Sequence, residues 1–299
     1  MHYVITGSLG HTGKPITEAL TKAGHTVTVV TSNSDKVAAI EALGAKAAVG
    51  SVEDADFLKR AFAGADAVYL LIPAKWSVTA WRAYQNQIGD NYVEAIKANQ
   101  IQYAVLLSSV GAHAGEGIGP VDGLYDMEQK LKTVPGLNAV FLRPPYFMYN
   151  LFGMIGMVKG MGMMGSNFGN DTIALAHTSD IADAALDELL QLGFTGQRVR
   201  YIASDERTGA DIAKVLGEAV GKPETPWIVF SDEQSRQGML RAGMNDEIAN
   251  EYTKLGESLR TGKMQEDYLA NRPTTFGKVK LEDFARNEFA PAFNAPAPS

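Results

Sequence analysis

Three glycines, Gly7, Gly10 and Gly13, follow the β-branched run Val4-Ile5-Thr6 at intervals of three. The first permits a tight strand-to-helix turn, the second lets the backbone approach a pyrophosphate, and the third lets the helix pack closely on the strand. Gly7, Ser8, Gly10, His11, Thr12 and Gly13 therefore form a candidate dinucleotide cradle, with the N–H groups of the following helix facing the phosphates. About 20 residues further on, where NAD-binding chains place an acidic side chain on the ribose, this chain has Thr31-Ser32-Asn33-Ser34. With hydroxyls at Ser32 and a cation at Lys36, the pattern favours NADP narrowly over NAD. His113, in a later loop, is a candidate proton donor or a solvated histidine. No His and carboxylate set has metal-ligand spacing, so no metal is expected.

These groups need a scaffold that brings them to one edge, and the chain supplies strand and helix signals in alternation. His2 to Thr6 reads as a strand, and Lys14 to Ala23 carries Ile16, Leu20 and Ala23 at helical spacing before Gly24. Further strands are expected at Thr26 to Thr31, Ala45 to Val49, Asp66 to Ile72, Gln102 to Ser108 and Asn138 to Arg143. Helices at Lys36 to Leu43, Asp54 to Ala63, Val78 to Asn99 and Tyr125 to Lys132 separate them. That rhythm predicts an α/β fold, a Rossmann-type doubly wound parallel sheet over residues 1–150. Residues 151–299 are expected to form a smaller α+β substrate or lid subdomain, with some chain crossing back to the sheet. It should contain a helix at Asp180 to Leu192, a strand at Arg198 to Ala203, a helix at Asp211 to Val220 capped by Thr208, and two or three later helices. Pro291 to Ser299 reads as a fraying tail.

Composition narrows the function classes. At 299 residues, 45% hydrophobic and 20% charged, the chain has the make-up of a folded globular protein. A net charge of −7 with dispersed Lys and Arg argues against a nucleic-acid partner. Cysteine is absent, which excludes thiolate chemistry and fits the cytoplasm. A strand starting at residue 2 leaves no expected targeting segment, and no apolar run is expected to span a membrane.

The acceptor side is expected to be aromatic. Leu71-Ile72-Pro73 closes a strand where ligands of such sheets lie, and Trp76 follows as a wall for a flat substrate or as packing against the sheet. Phe147, Tyr149 and Phe152 precede Met154, Met157, Met161, Met163 and Met164 among glycines. That mixture suits a mobile lid over a flat apolar molecule, a subunit contact in a homodimer, or a loosely packed core segment.

Several motifs together resemble the NmrA-like family of atypical short-chain dehydrogenase/reductases. The resemblance rests on Thr6-Gly7-Ser8-Leu9-Gly10-His11-Thr12-Gly13, Gly50-Ser51-Val52-Glu53-Asp54, Leu106-Leu107-Ser108-Ser109-Val110-Gly111-Ala112, Leu142-Arg143-Pro144-Pro145-Tyr146-Phe147-Met148 and His177-Thr178-Ser179-Asp180-Ile181-Ala182. It covers nearly the whole chain. It implies that Ser51 and Val52 lie beside the adenine, and that Pro73, Ser108 and Tyr146 lie on the nicotinamide side. It also implies a small aromatic or quinone-like substrate for an NAD(P)H oxidoreductase, or alternatively a non-catalytic redox sensor that binds a protein partner. The chain departs from the classical Tyr-x-x-x-Lys acid, because Lys130 follows Tyr125 by five positions. Five helical residues rotate Lys130 by about 140° from Tyr125. Reduction of a simple ketone is disfavoured, whereas hydride delivery to an electrophilic conjugated acceptor needs no such acid.

Overall fold

A computed structural model describes residues 1–296. The first half alternates as expected: β1 (His2–Ile5), α1 (Gly13–Lys22), β2 (Thr26–Thr31), α2 (Val37–Ala42), β3 (Lys46–Val49), α3 (Ala55–Ala61), β4 (Ala67–Leu70), α4 (Trp81–Ala98), β5 (Tyr103–Leu107), α5 (Asp122–Lys132) and β6 (Asn138–Arg143). Then come β7 (Tyr146–Phe147), α6 (Met154–Met161), β8 (Met164–Ser166), β9 (Ile173–Ala176), α7 (Thr178–Gln191), β10 (Gln197–Tyr201), β11 (Asp205–Arg207) and α8 (Gly209–Ala219). The chain ends with β12 (Trp227–Val229), α9 (Asp232–Arg241), α10 (Asp246–Arg260), α11 (Glu266–Ala270), α12 (Leu281–Phe284) and α13 (Ala290–Asn294).

Seven strands form one parallel sheet in the order β10-β6-β5-β4-β1-β2-β3. Both faces are covered at the centre, which is why β1, β4, β5 and β6 are largely apolar, whereas the edge strands β3 and β10 carry Lys46, Gln197, Arg198 and Arg200. Tyr3 and Ile5 of β1 enter one core cluster while Val4 enters the other, following the period of two along a strand. Beyond β6 the chain builds a third core with the short sheets β11-β9-β7 and β12-β8, yet returns β10 to the edge of the main sheet.

Two expectations are corrected below. Of the alternatives for the Gly- and Met-rich stretch, the packing favours a core segment: Met154 and Met164 are buried with Val158 in the third cluster, while Met161 is 59% exposed. The reason is the helical spacing of Leu151, Met154 and Val158, which aims one face of α6 inward. Among the described residues after 223 there are five α-helices, more than the two or three expected, because short segments such as α11 and α12 bury Tyr268, Leu281 and Phe284 without a long periodic signal. Pro291 to Asn294 lies within α13, with Pro in the first turn where it is tolerated, and residues 297–299 of the expected tail lie outside the described residues.

Helix α8 starts with the anticipated cap. Thr208 Oγ1 accepts the Asp211 N–H at 3.1 Å, and Asp211 Oδ2 accepts the Thr208 N–H at 3.1 Å. Thr208→Ala is expected to cost about 1 kcal/mol, visible as a lower urea midpoint.

Candidate functional site

Strand order reverses between β1 and β4, so the crevice for a ligand lies off their carboxyl ends. Thr6 fixes that edge: its Oγ1 accepts the Leu71 N–H at 2.8 Å and lies 3.1 Å from the Tyr69 carbonyl. Gly7 then turns with φ +89° and Ser8 with φ +57°. Ser8 is anchored through its N–H to Val30 O at 3.1 Å and through its hydroxyl to Thr31 Oγ1 at 2.9 Å. A Cβ at Gly7 would meet Leu71 at 3.1 Å, one at Gly10 would meet Gly7 O at 3.2 Å, and one at Gly13 would stand 2.2 Å from Ser8 O. The turn thus closes on itself in a way that demands glycine at 13.

Tyr69 Oη reaches Thr12 Oγ1 at 3.0 Å, and no side chain caps α1 at Thr12. The first turn of α1 also has no acidic residue. A glycine-lined turn opening on an uncapped, carboxylate-free helix start fits a dinucleotide pyrophosphate. His11 and Gly10 lie exposed on the rim.

The adenosine candidates lie on neighbouring loops. Ser32 and Lys36 are exposed after β2, where Asn33 Oδ1 accepts the Asp35 N–H at 2.8 Å. Ser51 Oγ accepts the Glu53 N–H at 3.1 Å, and Val52 O accepts from Asn91 at 3.0 Å. The end of β4 is held by tyrosines of α4: Tyr92 Oη donates to Leu71 O at 2.8 Å and Tyr84 Oη to Pro73 O at 3.0 Å, with half-buried Ile72 between. Burial pushes the Tyr84 phenol up to about 12.

Ser108 closes β5, and its hydroxyl is committed inward to Glu128 Oε1 at 2.6 Å. Glu128 is fully buried and pairs with Arg143, whose Nε and NH2 lie 2.9 and 2.6 Å from its two oxygens. Arg143 also donates to Tyr201 Oη and Asp267 Oδ2, each at 3.0 Å. The sequence assigns no role to Glu128 or Arg143, although an acid three positions after Tyr125 and the arginine of Leu142-Arg143-Pro144 are visible signals. Lys130 bonds Asn86 O at 3.1 Å and the Asp90 carboxylate on α4, whereas the Tyr125 ring faces Gly115. The two residues do not converge.

Aromatic side chains gather at the same sheet edge. Trp76 is 54% exposed, with its ring 5.6 Å from Tyr252 and 6.0 Å from Trp81. Tyr146 lies 5.7 Å from Phe168, and half-buried Phe147 packs against the main-sheet core. Tyr149 covers the glycine turn, 4.4 Å from His11, and meets Phe152 at 5.4 Å. Both ring nitrogens of His113 are enclosed without a hydrogen-bond partner. Tyr252 carried no signal in the sequence; its role depends on where α10 docks. Among the described residues no group could hold a metal ion, and no helix is long and apolar enough to cross a membrane.

A turn of this geometry on a sheet of this order defines a dinucleotide-binding, Rossmann-type fold. The model of a family described as NAD(P)H-binding matches residues 7–190, and the chain belongs to that family. It is 23% identical over 276 residues, 92% of each chain, to an NAD(P)H azoreductase of Xenophilus azovorans. In fold it is similar to the triphenylmethane reductase of a Citrobacter species, with a TM-score of 0.79, 17% identity, and coverage of 97% of this chain and 100% of that one. An NADPH-dependent quinone oxidoreductase of Escherichia coli, solved with NADPH, aligns with a TM-score of 0.76 and 21% identity over 95% of this chain and 98% of its own. The fold of these reductases agrees with the resemblance drawn from the motifs.

Proposed function

We propose that the chain is a cytoplasmic NAD(P)H-dependent oxidoreductase that reduces a flat conjugated acceptor of quinone or dye type. The observation that carries this reading is the engagement of Lys130 by Asn86 and Asp90, which leaves Tyr125 without the cation that would make it an acid for ketone reduction. A conjugated acceptor spreads the developing negative charge over its own framework, so positioning can supply most of the catalysis.

The bound nicotinamide would supply the hydride. Gly7, Gly10 and Gly13 hold the pyrophosphate through backbone N–H groups, with Ser8, His11 and Thr12 shaping the turn. Ser32, Lys36, Ser51 and Val52 take the adenosine end, and the backbone of Leu71, Ile72 and Pro73 borders the ribose. Tyr146 takes the nicotinamide side, and Ser108, its hydroxyl committed to Glu128, ends the strand beneath that side. Trp76, His113, Phe147, Tyr149 and Phe152 take the acceptor, which the segment 151–299 covers as the substrate side of the molecule.

The test is anaerobic oxidation of NADPH and NADH in the presence of benzoquinone, a naphthoquinone, an azo dye or a triphenylmethane dye. Acceptor-dependent oxidation is expected; cofactor binding without it would remove the reductase reading. In that case the unmatched Tyr125 and Lys130 favour a regulator, which should distinguish oxidised from reduced cofactor in affinity. NADP is favoured because the end of β2 presents Ser32 rather than a carboxylate. Ser32→Asp is expected to weaken NADPH at least about tenfold through like-charge repulsion with a 2′-phosphate, while leaving NADH nearly unchanged in the same titration.

A further inference from the structure

The loop between β4 and α4 leads from the Leu71-Ile72-Pro73 backbone to Trp76, has no regular secondary structure, and buries none of residues 74–80. Side-chain packing alone does not hold it. Its carbonyls are instead taken by the start of α10: Asn245 Nδ2 donates to Trp76 O at 3.1 Å and to Val78 O at 3.0 Å. The same side chain caps that helix, its Oδ1 accepting the Ile248 N–H at 2.9 Å. The cap fixes the amide, since the reverse orientation would set its oxygen against two carbonyls and its N–H₂ against an N–H. Two residues on, Glu247 Oε1 accepts the Trp81 N–H at 2.7 Å and gives α4 the cap that Ala80 lacks.

One end of α10 therefore holds both the loop and the helix that follows it. The anchor is rigid, because α10 lies so close to Gly119 that a Cβ there would stand 2.1 Å from Glu251 O. The loop's other tie, Lys75 Nζ to Glu53 at 2.8 Å, joins two exposed side chains and is weakened by water. We propose that Asn245 and Glu247 are positioning residues for the acceptor, pinning the loop after β4 to α10 so that Trp76 stands ready as a stacking wall. This rests on the reading of Trp76 as part of the acceptor site. The indole packs against Tyr252 and Trp81 yet stays 54% exposed, which leaves surface for a flat ring. A wall ordered before binding spares the acceptor the cost of ordering it.

The test uses full-length protein loaded with NADP+, which donates no hydride, and titrates a naphthoquinone by calorimetry. Asn245→Asp keeps the α10 cap, because aspartate caps as well as asparagine, and removes both donors to the loop. It is expected to speed amide hydrogen exchange in residues 74–80 about fivefold. Naphthoquinone should bind about fivefold more weakly, with NADP+ affinity unchanged. Glu247→Ala should also weaken the quinone, and Glu247→Gln, which still accepts the Trp81 N–H, should restore it. In a Trp76→Leu background Asn245→Asp should add no further loss, an outcome that general loosening of the fold would not give. Unchanged exchange or unchanged quinone affinity in Asn245→Asp overturns the latch. So does a further loss without Trp76, a Glu247→Gln variant as weak as Glu247→Ala, or a parent that binds no quinone. A parent that binds quinone with this dependence yet never oxidises NADPH with it leaves the latch standing and removes the reductase reading instead.

Discussion

Glu128→Gln is expected to lower the unfolding free energy by about 3–5 kcal/mol. Glu128 is fully buried and Arg143 is 6% exposed at its side chain, so neither has water to replace a lost partner. The substitution removes the negative charge and turns an amide N–H₂ toward guanidinium donors that now sit 2.6 and 2.9 Å from carboxylate oxygens. The buried guanidinium loses its fully buried counter-charge and keeps only the partly exposed Asp267. Asp267 and Tyr201 still accept from Arg143, which places the cost toward the lower end of that range. Replacing both partners, Glu128→Leu with Arg143→Met, removes the buried charges together and should recover part of the loss. Recovery will be incomplete, because Ser108, Tyr201 and Asp267 each lose a partner. Urea denaturation of the two single variants and the double variant measures this; a single-variant cost below about 1 kcal/mol would show that the pair is not structurally important.

The same pair shows where sequence reasoning succeeds and where it stops. Strand Asn138 to Arg143 and strand Thr26 to Thr31 are legible to the residue, because apolar runs closed by Pro144 or preceded by Gly24 carry their own boundaries. The glycine turn is legible because its constraint is local: φ +89° at Gly7 and the 2.2 Å approach at Gly13 are set within seven residues. Glu128 is different. Its meaning comes from β5 and β6 lying side by side, which brings Ser108 and Arg143 to one carboxylate across 20 and 15 residues.

Distance along the chain also hides Asp180. Within His-Thr-Ser-Asp-Ile-Ala it reads as a helix-start acid, yet its carboxylate accepts from Ser204 Oγ at 2.7 Å and from the Lys278 and Val279 N–H groups at 2.9 and 3.2 Å. A Cβ at Gly277 would stand 2.2 Å from that carboxylate. The motif thus ties the last hundred residues to α7, a contact that no periodicity announces. Tyr252 is hidden for the same reason, since only the docking of α10 against the loop after β4 sets it beside Trp76.

Gly13→Ala is expected to weaken NADPH at least a hundredfold, about 2.7 kcal/mol. In an unobstructed helix the change would be stabilising, because alanine loses less backbone freedom than glycine on folding. Here the new methyl would meet a backbone oxygen, Ser8 O, at 2.2 Å, and a carbonyl cannot rotate away as a flexible side chain can. Ser8 is itself held by Val30 O and Thr31 Oγ1, so relief must come from lifting α1 off the turn. That movement carries away the N–H groups meant for the pyrophosphate. Gly10→Ala, whose Cβ would stop 3.2 Å from Gly7 O, should cost less, and Gly153→Ala, with nothing within 4 Å, should leave binding unchanged. Thermal-shift titration reads the series directly, since a ligand bound to the folded state raises Tm with the logarithm of its concentration relative to Kd. Equal Tm shifts for the Gly13 and Gly153 variants at saturating NADPH would mean that the phosphates lie elsewhere than on this turn.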